Sequence, residues 1–237
     1  MDPFTIPADC VVFDTETTGF SVEEGDRLVE IGAVRMRGGL PTNETFHCYI
    51  NPGRTVPKEA VDVHGLTTEF LADKPVFDEV AEDFIAFVGD FPMVAHNAKF
   101  DKKFINFQLT ELGLKAYPET RFVDTVPIAK RKFPGQQVNL DALCRKMKIG
   151  LEGREKHGAL IDSELLAEVC VELMGGRQAS LFTELGTEQA NKQSEAPLET
   201  LSTFVRYATE EEKVAHAKLV EGLGESALWN LYKEEVA

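Results

Sequence analysis

Four carboxylates and one histidine, each set against apolar neighbours, restrict the folds open to this chain. Asp14 and Glu16 lie in Phe13-Asp14-Thr15-Glu16-Thr17-Thr18-Gly19, and Asp101 ends His96-Asn97-Ala98-Lys99-Phe100-Asp101. His157 and Asp162 bracket His157-Gly158-Ala159-Leu160-Ile161-Asp162. An unpaired charge buried beside a core is costly, so clustered acids next to a core call for something strongly positive among them. Oxygen-bearing acids suit hard divalent cations such as magnesium or manganese, and no thiol–imidazole set points to zinc.

The local spacing says how such a cluster could form. Side chains alternate along a strand, so Asp14 and Glu16 share a face about 7 Å apart, twice the rise per residue. Asp101 opens a helix directly after a strand, where functional groups are delivered to a sheet edge; taken alone it also reads as an N-cap aspartate. Within one helix His157 and Asp162 would lie about 140° apart. Cooperation therefore requires His157 on the loop before the helix and Asp162 inside it. Taken alone, His157 reads as an ordinary surface histidine, as do His47, His64, His96 and His216. Two divalent ions about 4 Å apart stabilise the attacking and leaving oxygens of an in-line phosphoryl displacement. Four negative charges balance two such ions formally, and a neutral histidine nearby can take a proton from the attacking water.

The 237 residues suffice for one medium domain and an appendage, with a core that needs no disulfide staples. Cys10, Cys48, Cys144 and Cys170 are far apart, which fits free thiols in a reducing cytoplasm. No apolar stretch is long enough to span a membrane, and no signal-peptide pattern opens the chain. The net charge of −15 opposes an extended basic surface tracking a nucleic-acid backbone. It leaves room for a small site that grips a strand end through metal ions.

Residues 10–14, 28–36 and 45–50 read as three strands, the latter two separated by Gly38-Gly39 and Pro41. Helical spacing follows from Asp78 to Val88, then a short strand over 92–96 and a helix over 101–112. A brief strand at 122–124, helical segments near 125–132 and 139–147 and a last helix over roughly 158–174 complete the body, with Asn139 a candidate N-cap. The expected fold class is α/β, a mixed sheet with helices on its faces. Polar residues 183–197 have a linker composition, and Thr209-Glu210-Glu211-Glu212 has capping-box spacing. The expected organisation is an N-terminal extension 1–9, a catalytic body 10–176, a short motif 177–183, a linker 184–200 and a docking segment 201–237, the last parts forming a flexible tail.

In order and spacing the three acidic segments resemble the motifs of the DEDDh branch of proofreading 3′–5′ exonucleases. Val29-Glu30-Ile31-Gly32-Ala33-Val34, Val63-His64-Gly65-Leu66 and Asn139-Leu140-Asp141-Ala142-Leu143-Cys144 extend the likeness over residues 10–176. Within that branch the chain resembles the epsilon subunits of bacterial DNA polymerase III. The resemblance implies a ribonuclease-H-like fold and removal of mispaired nucleotides from a DNA 3′ end. It implies ligation of two magnesium or manganese ions by Asp14, Glu16, Asp101 and Asp162, with His157 as general base. It also implies that Thr17, His64, Asn97 and Phe100 touch the terminal nucleotide, although Phe100 reads equally as core and His64 as solvated. Gln178-Ala179-Ser180-Leu181-Phe182 resembles the short motif that bacterial proteins insert into a sliding clamp, with Gln178, Ser180, Leu181 and Phe182 as its contacts; Leu181 and Phe182 folding back on the last helix is the other reading. The segment bearing Trp229 is assigned by resemblance to docking on the polymerase alpha subunit.

An RNA-processing exoribonuclease of the same branch would share the five catalytic residues but has no reason for a clamp motif and a docking tail. A non-catalytic scaffold between clamp and polymerase need not retain all five.

Overall fold

Cys10-Val11-Val12-Phe13, apolar on both faces and carrying two β-branched valines, forms the start of the central strand β1 (Cys10–Thr17). The computed structural model describes residues 4–150, 156–176, 209, 214–216 and 218. The chain divides into Met1–Lys192 and Gln193–Ala237, and every element named below belongs to the first unit. The sheet has five strands in the order β3-β2-β1-β4-β5. β2 (Leu28–Arg37) and β3 (Leu40–Tyr49) run antiparallel from β1, turning at Gly38 and Gly39, both in the left-handed region. β4 (Met93–Ala95) and β5 (Phe122–Asp124) pair in parallel on the other side.

Strand alternation sends side chains to two cores. Val11, Phe13, Ile31, Ala33 and Met93 pack with residues of α3 (Phe77–Val88) and α4 (Ala98–Glu111), such as Phe84, Phe104 and Leu109. Cys10, Val12, Val34, Met36 and Val94 pack with α5 (Thr125–Lys132), α6 (Leu140–Met147) and α7 (Ala159–Leu173), through Ile128, Leu143, Leu166 and Cys170. Phe84 and Phe104 are fully buried, and cutting either to alanine costs about 3–5 kcal/mol. This is the ribonuclease-H-like mixed sheet, covered on both faces, that the alternation of strands and helices predicts.

Two helices escape the sequence reading. α1 (Lys58–His64) and α2 (Thr68–Leu71) are seven and four residues long, too short for helical periodicity to register. β3 begins at Leu40 rather than at residue 45. Asn139 caps α6 as expected, accepting the Ala142 N–H at 2.8 Å. Asp101 does not cap α4. That helix starts at Ala98, and its N-cap is Asn97 at φ 72°, a left-handed conformation that asparagine tolerates better than most residues. The expected clamp motif and linker lie outside the described residues, as does the 201–237 segment apart from 209, 214–216 and 218.

Candidate active site

The site is built where β1 ends. Asp14 pairs with Gly32 across the β1–β2 ladder and Glu16 with Glu30, so alternation sets both acids on one face. The ladder shifts register immediately afterwards, between Glu16 and Thr17. Irregularities of this kind re-aim side chains at the rim of a sheet. Thr15, on the opposite face, donates its hydroxyl to Asp101 Oδ1 at 2.7 Å. One turn of strand thus addresses helices on both sides of the sheet.

α7 reaches the strand because β2 has no side chain at Gly32. A Cβ there would lie 2.2 Å from the Ala159 carbonyl carbon and the Leu160 nitrogen. Ser163 Oγ, completely buried, sits 2.8 Å from the Gly32 carbonyl oxygen and 2.7 Å from that of Ala159. The first turn of α7 is thereby pressed on the sheet, and it holds Asp162. His157 precedes the helix, as the angular argument requires, and its Nδ1 lies 3.1 Å from Asp162 Oδ2. Ligand atoms of Glu16, His157 and Asp162 all fall within 4.8 Å of one another. The His157 segment is anchored to α1: the His157 N–H reaches the Val63 carbonyl at 3.3 Å, and Lys156 Nζ the Val61 carbonyl at 3.3 Å.

Asp101 enters from the other side, in the first turn of α4. Its approach depends on Asp124, whose Oδ1 accepts the N–H of Asn97 at 3.0 Å and that of Val126 at 2.9 Å. That carboxylate fixes the β4–α4 turn and caps α5 at once.

Electrostatics report how close the acids are. Burial pushes Asp14 well above the usual carboxylate range, and the charges of Asp101, Glu16, Asp162 and Glu30 push it further. Burial likewise raises Asp101 to about 7, against the opposing hydrogen bond from Thr15. Burial is the larger cause of both shifts; neighbouring acids add to it at Asp14, and Asp124 at Asp101.

Beside the acids runs a cleft of about 700 Å³, floored by Thr15 and Glu16. Thr17 and His64 line it, as does Phe100, which packs edge-on against the 88% exposed Phe20. His64 is the last residue of α1, not a solvated loop histidine, and is 6% exposed. Its Nδ1 accepts the Leu66 N–H at 3.0 Å, which puts the ring proton on Nε2. That nitrogen makes no hydrogen bond of normal geometry. Burial lowers the His64 pKa and the Lys156 charge adds to this, with the Thr17 backbone pulling the other way. Asn97 sits at the helix cap and is not among the residues lining the cleft. Gln178, Ser180, Leu181 and Phe182 lie outside the described residues.

Sequence reasoning missed a fifth acid. Glu30 is 3% exposed, opposite Glu16, and receives His47 Nε2 at 2.7 Å. The signal was present: Glu30 is the one acid inside the apolar run Leu28–Met36. His96 is likewise no free surface histidine, its Nδ1 lying 2.8 Å from Thr125 Oγ1.

Comparison with known proteins follows the same lines. Residues 11–170 match the family described as Exonuclease. A DNA polymerase III subunit epsilon from Rickettsia conorii is 42% identical over 221 residues, covering 89% of this chain and 94% of the relative. The Escherichia coli protein of that name is 38% identical over 235 residues, covering 92% and 96%. Among solved structures, Exonuclease X in complex with 5′ overhanging duplex DNA is similar at TM-score 0.56 and 27% identity, over 70% of this chain and 90% of that one. The nuclease domain of 3′hExo, a DEDDh family member bound to rAMP, shares the fold at TM-score 0.60 and 21% identity, over 70% and 92%. With its acids converging at the end of the central strand, the chain belongs to the exonuclease family, among the DNA polymerase III epsilon subunits.

Proposed function

We propose that this chain is a metal-dependent 3′–5′ exodeoxyribonuclease that removes mispaired 3′-terminal nucleotides for a replicative DNA polymerase. One observation carries the reading: ligand atoms of Glu16, His157 and Asp162 lie within 4.8 Å of one another, beside Asp14, which burial and the charges of Asp101, Glu16 and Asp162 push well above the ordinary carboxylate range. An all-oxygen donor set with surplus negative charge fits a hard divalent cation. Asp14, Glu16, Asp101 and Asp162 would hold two magnesium or manganese ions. Such ions, when bound, supply charge stabilisation of the attacking and leaving oxygens in phosphodiester hydrolysis.

The protein's own groups do the rest. With His157 Nδ1 donating to Asp162 Oδ2, Nε2 is the basic nitrogen of that tautomer and would take a proton from the attacking water. The backbone bond from His157 to Val63 orients that ring. His64 lines the cleft wall, and the Phe20–Phe100 pair offers aromatic faces on which an unpaired base can stack. Thr17 borders the same space, and Asn97 acts by shaping the turn that leads to Asp101.

The net charge of −15 leaves little grip on free DNA. We infer that the grip comes from partners: a sliding clamp through Gln178, Ser180, Leu181 and Phe182, and the polymerase III alpha subunit through residues 201–237. Two attachments raise effective concentration without new contacts at the site. Four free cysteines are consistent with work in a reducing cytoplasm.

The decisive experiment offers the protein a mispaired, a paired and an RNA 3′ end with magnesium, with manganese and with chelator. Shortening of the mispaired DNA primer with metal alone supports the reading. Absence of digestion with either metal removes it, and preference for the RNA end moves the chain to RNA processing.

A further inference from the structure

The cleft has two walls from separate parts of the chain. One is the loop from Thr17 to Asp26, the other the stretch from Arg54 to His64. Asp26 is 7% exposed and its carboxylate is the hub of the first wall. Its Oδ1 accepts the Thr18 hydroxyl at 3.0 Å, its Oδ2 the Ser21 N–H at 3.1 Å. Gly19 is folded so closely over it that a Cβ would meet the carboxylate oxygen at 2.3 Å. From the second wall Arg54 Nη1 reaches the same Oδ1 at 3.1 Å and the Glu24 carbonyl at 3.5 Å.

Among the described residues Arg54 is the only lysine or arginine lining the cleft, yet its guanidinium is turned into the wall-to-wall contact. A surface ion pair would be worth little. This one is anchored on a largely buried carboxylate that already organises the loop bearing Phe20 and Thr17, so its loss is felt by the whole wall.

We propose that the Asp26–Arg54 pair is a clasp that sets the separation of the two cleft walls, making both residues positioning residues for the terminal nucleotide. The identity of the occupant rests on the exonuclease reading above; the clasp itself does not. Opening it misplaces the Phe20–Phe100 pair relative to His64, so binding of the strand end weakens while the metal-ligating acids, on β1, α4 and α7, keep their places.

The test compares the wild-type chain with Asp26→Asn, Arg54→Ala and the double variant. Two readouts are taken: steady-state kinetics on a single-stranded oligodeoxynucleotide with magnesium, and amide hydrogen exchange across 17–26 and 54–64 without nucleic acid. Each single variant is expected to raise KM about tenfold with kcat within about twofold. The double variant should be no worse than the weaker single, and exchange should quicken in both segments together. The clasp is overturned if Arg54→Ala raises KM while Asp26→Asn does not, since Arg54 would then act directly on a phosphate. Unchanged exchange in both walls, or a fall in kcat at constant KM, overturns it equally. Should Asp26→Asn fail to fold, Arg54→Ala, whose partly exposed side chain can be cut without opening the core, decides through exchange: a higher KM without quickened exchange in both segments overturns the clasp. A wild-type protein without nuclease activity defeats the exonuclease reading, and exchange then still judges the clasp.

Discussion

Replacing Asp101 by asparagine should stabilise the metal-free protein while destroying the metal site. The carboxyl is pushed from 3.8 up to about 7 by burial. A folded-state pKa above the unfolded one means that the native state holds the extra proton between those values. That contribution is full below about pH 4 and is lost as pH rises, gone above about pH 7. The difference of about 3 units corresponds to a ceiling of about 4 kcal/mol. Asparagine keeps an oxygen for the Thr15 hydroxyl and has no charge to strand. In chelator at pH 8, Asp101→Asn should therefore melt about 10 °C above wild type, from 2–4 °C per kcal/mol at this chain length. At pH 4.5 the gap should shrink to about a quarter of that. His64 and His96, both lowered by burial, change the slope in the opposite direction in acid, but equally in both proteins, so the difference isolates the acid. Saturating manganese should reverse the order at pH 8, because only the wild type gains a ligand-linked term. Thermal melts of both proteins at the two pH values, with and without metal, read all of this. A variant less stable than wild type in chelator at pH 8, or a gap that ignores pH, would refute the argument.

Other perturbations bear on separate parts of the reasoning. Asp14→Ala should abolish primer shortening and leave the fold intact, since it removes a ligand and relieves repulsion; undiminished turnover in the primer assay would show the metal assignment wrong. Gly32→Ala should cost about 1–3 kcal/mol by overpacking and at least about 100-fold in turnover by displacing α7, checked by denaturant melts beside kinetics. Replacing Leu181 and Phe182 together by alanine should weaken clamp binding in a surface-plasmon assay and spare isolated exonuclease activity; unchanged affinity returns both residues to packing.

Much of the site was legible because chemistry and local geometry coincided. Asp14 and Glu16 share a face by strand alternation alone, and the angular argument put His157 on a loop ahead of Asp162 on the condition that the two cooperate. Asn139 announced a cap and was one. What escaped depended on contacts across sequence distance. Asn97 takes the α4 cap in place of Asp101 because Asp124, on another strand, fixes its N–H in a left-handed turn. His64 looked solvated because α1 is too short to show a period, and its burial comes from packing. Glu30 was passed over although the argument that singled out the other acids applied to it equally; its hydrogen-bond partner His47 lies across a strand pair and is visible only in the register.

Gly32 brings no functional group, yet the reach from Asp14 to Asp162 is the thickness of bare backbone at that position. The dimension of the proposed site is thus written into a residue whose only attribute is what it lacks, on a strand that contributes none of the four proposed ligands. Anyone transplanting this centre into another scaffold must copy the hollow in β2 along with the acids, or α7 will stand a side chain's width too far away.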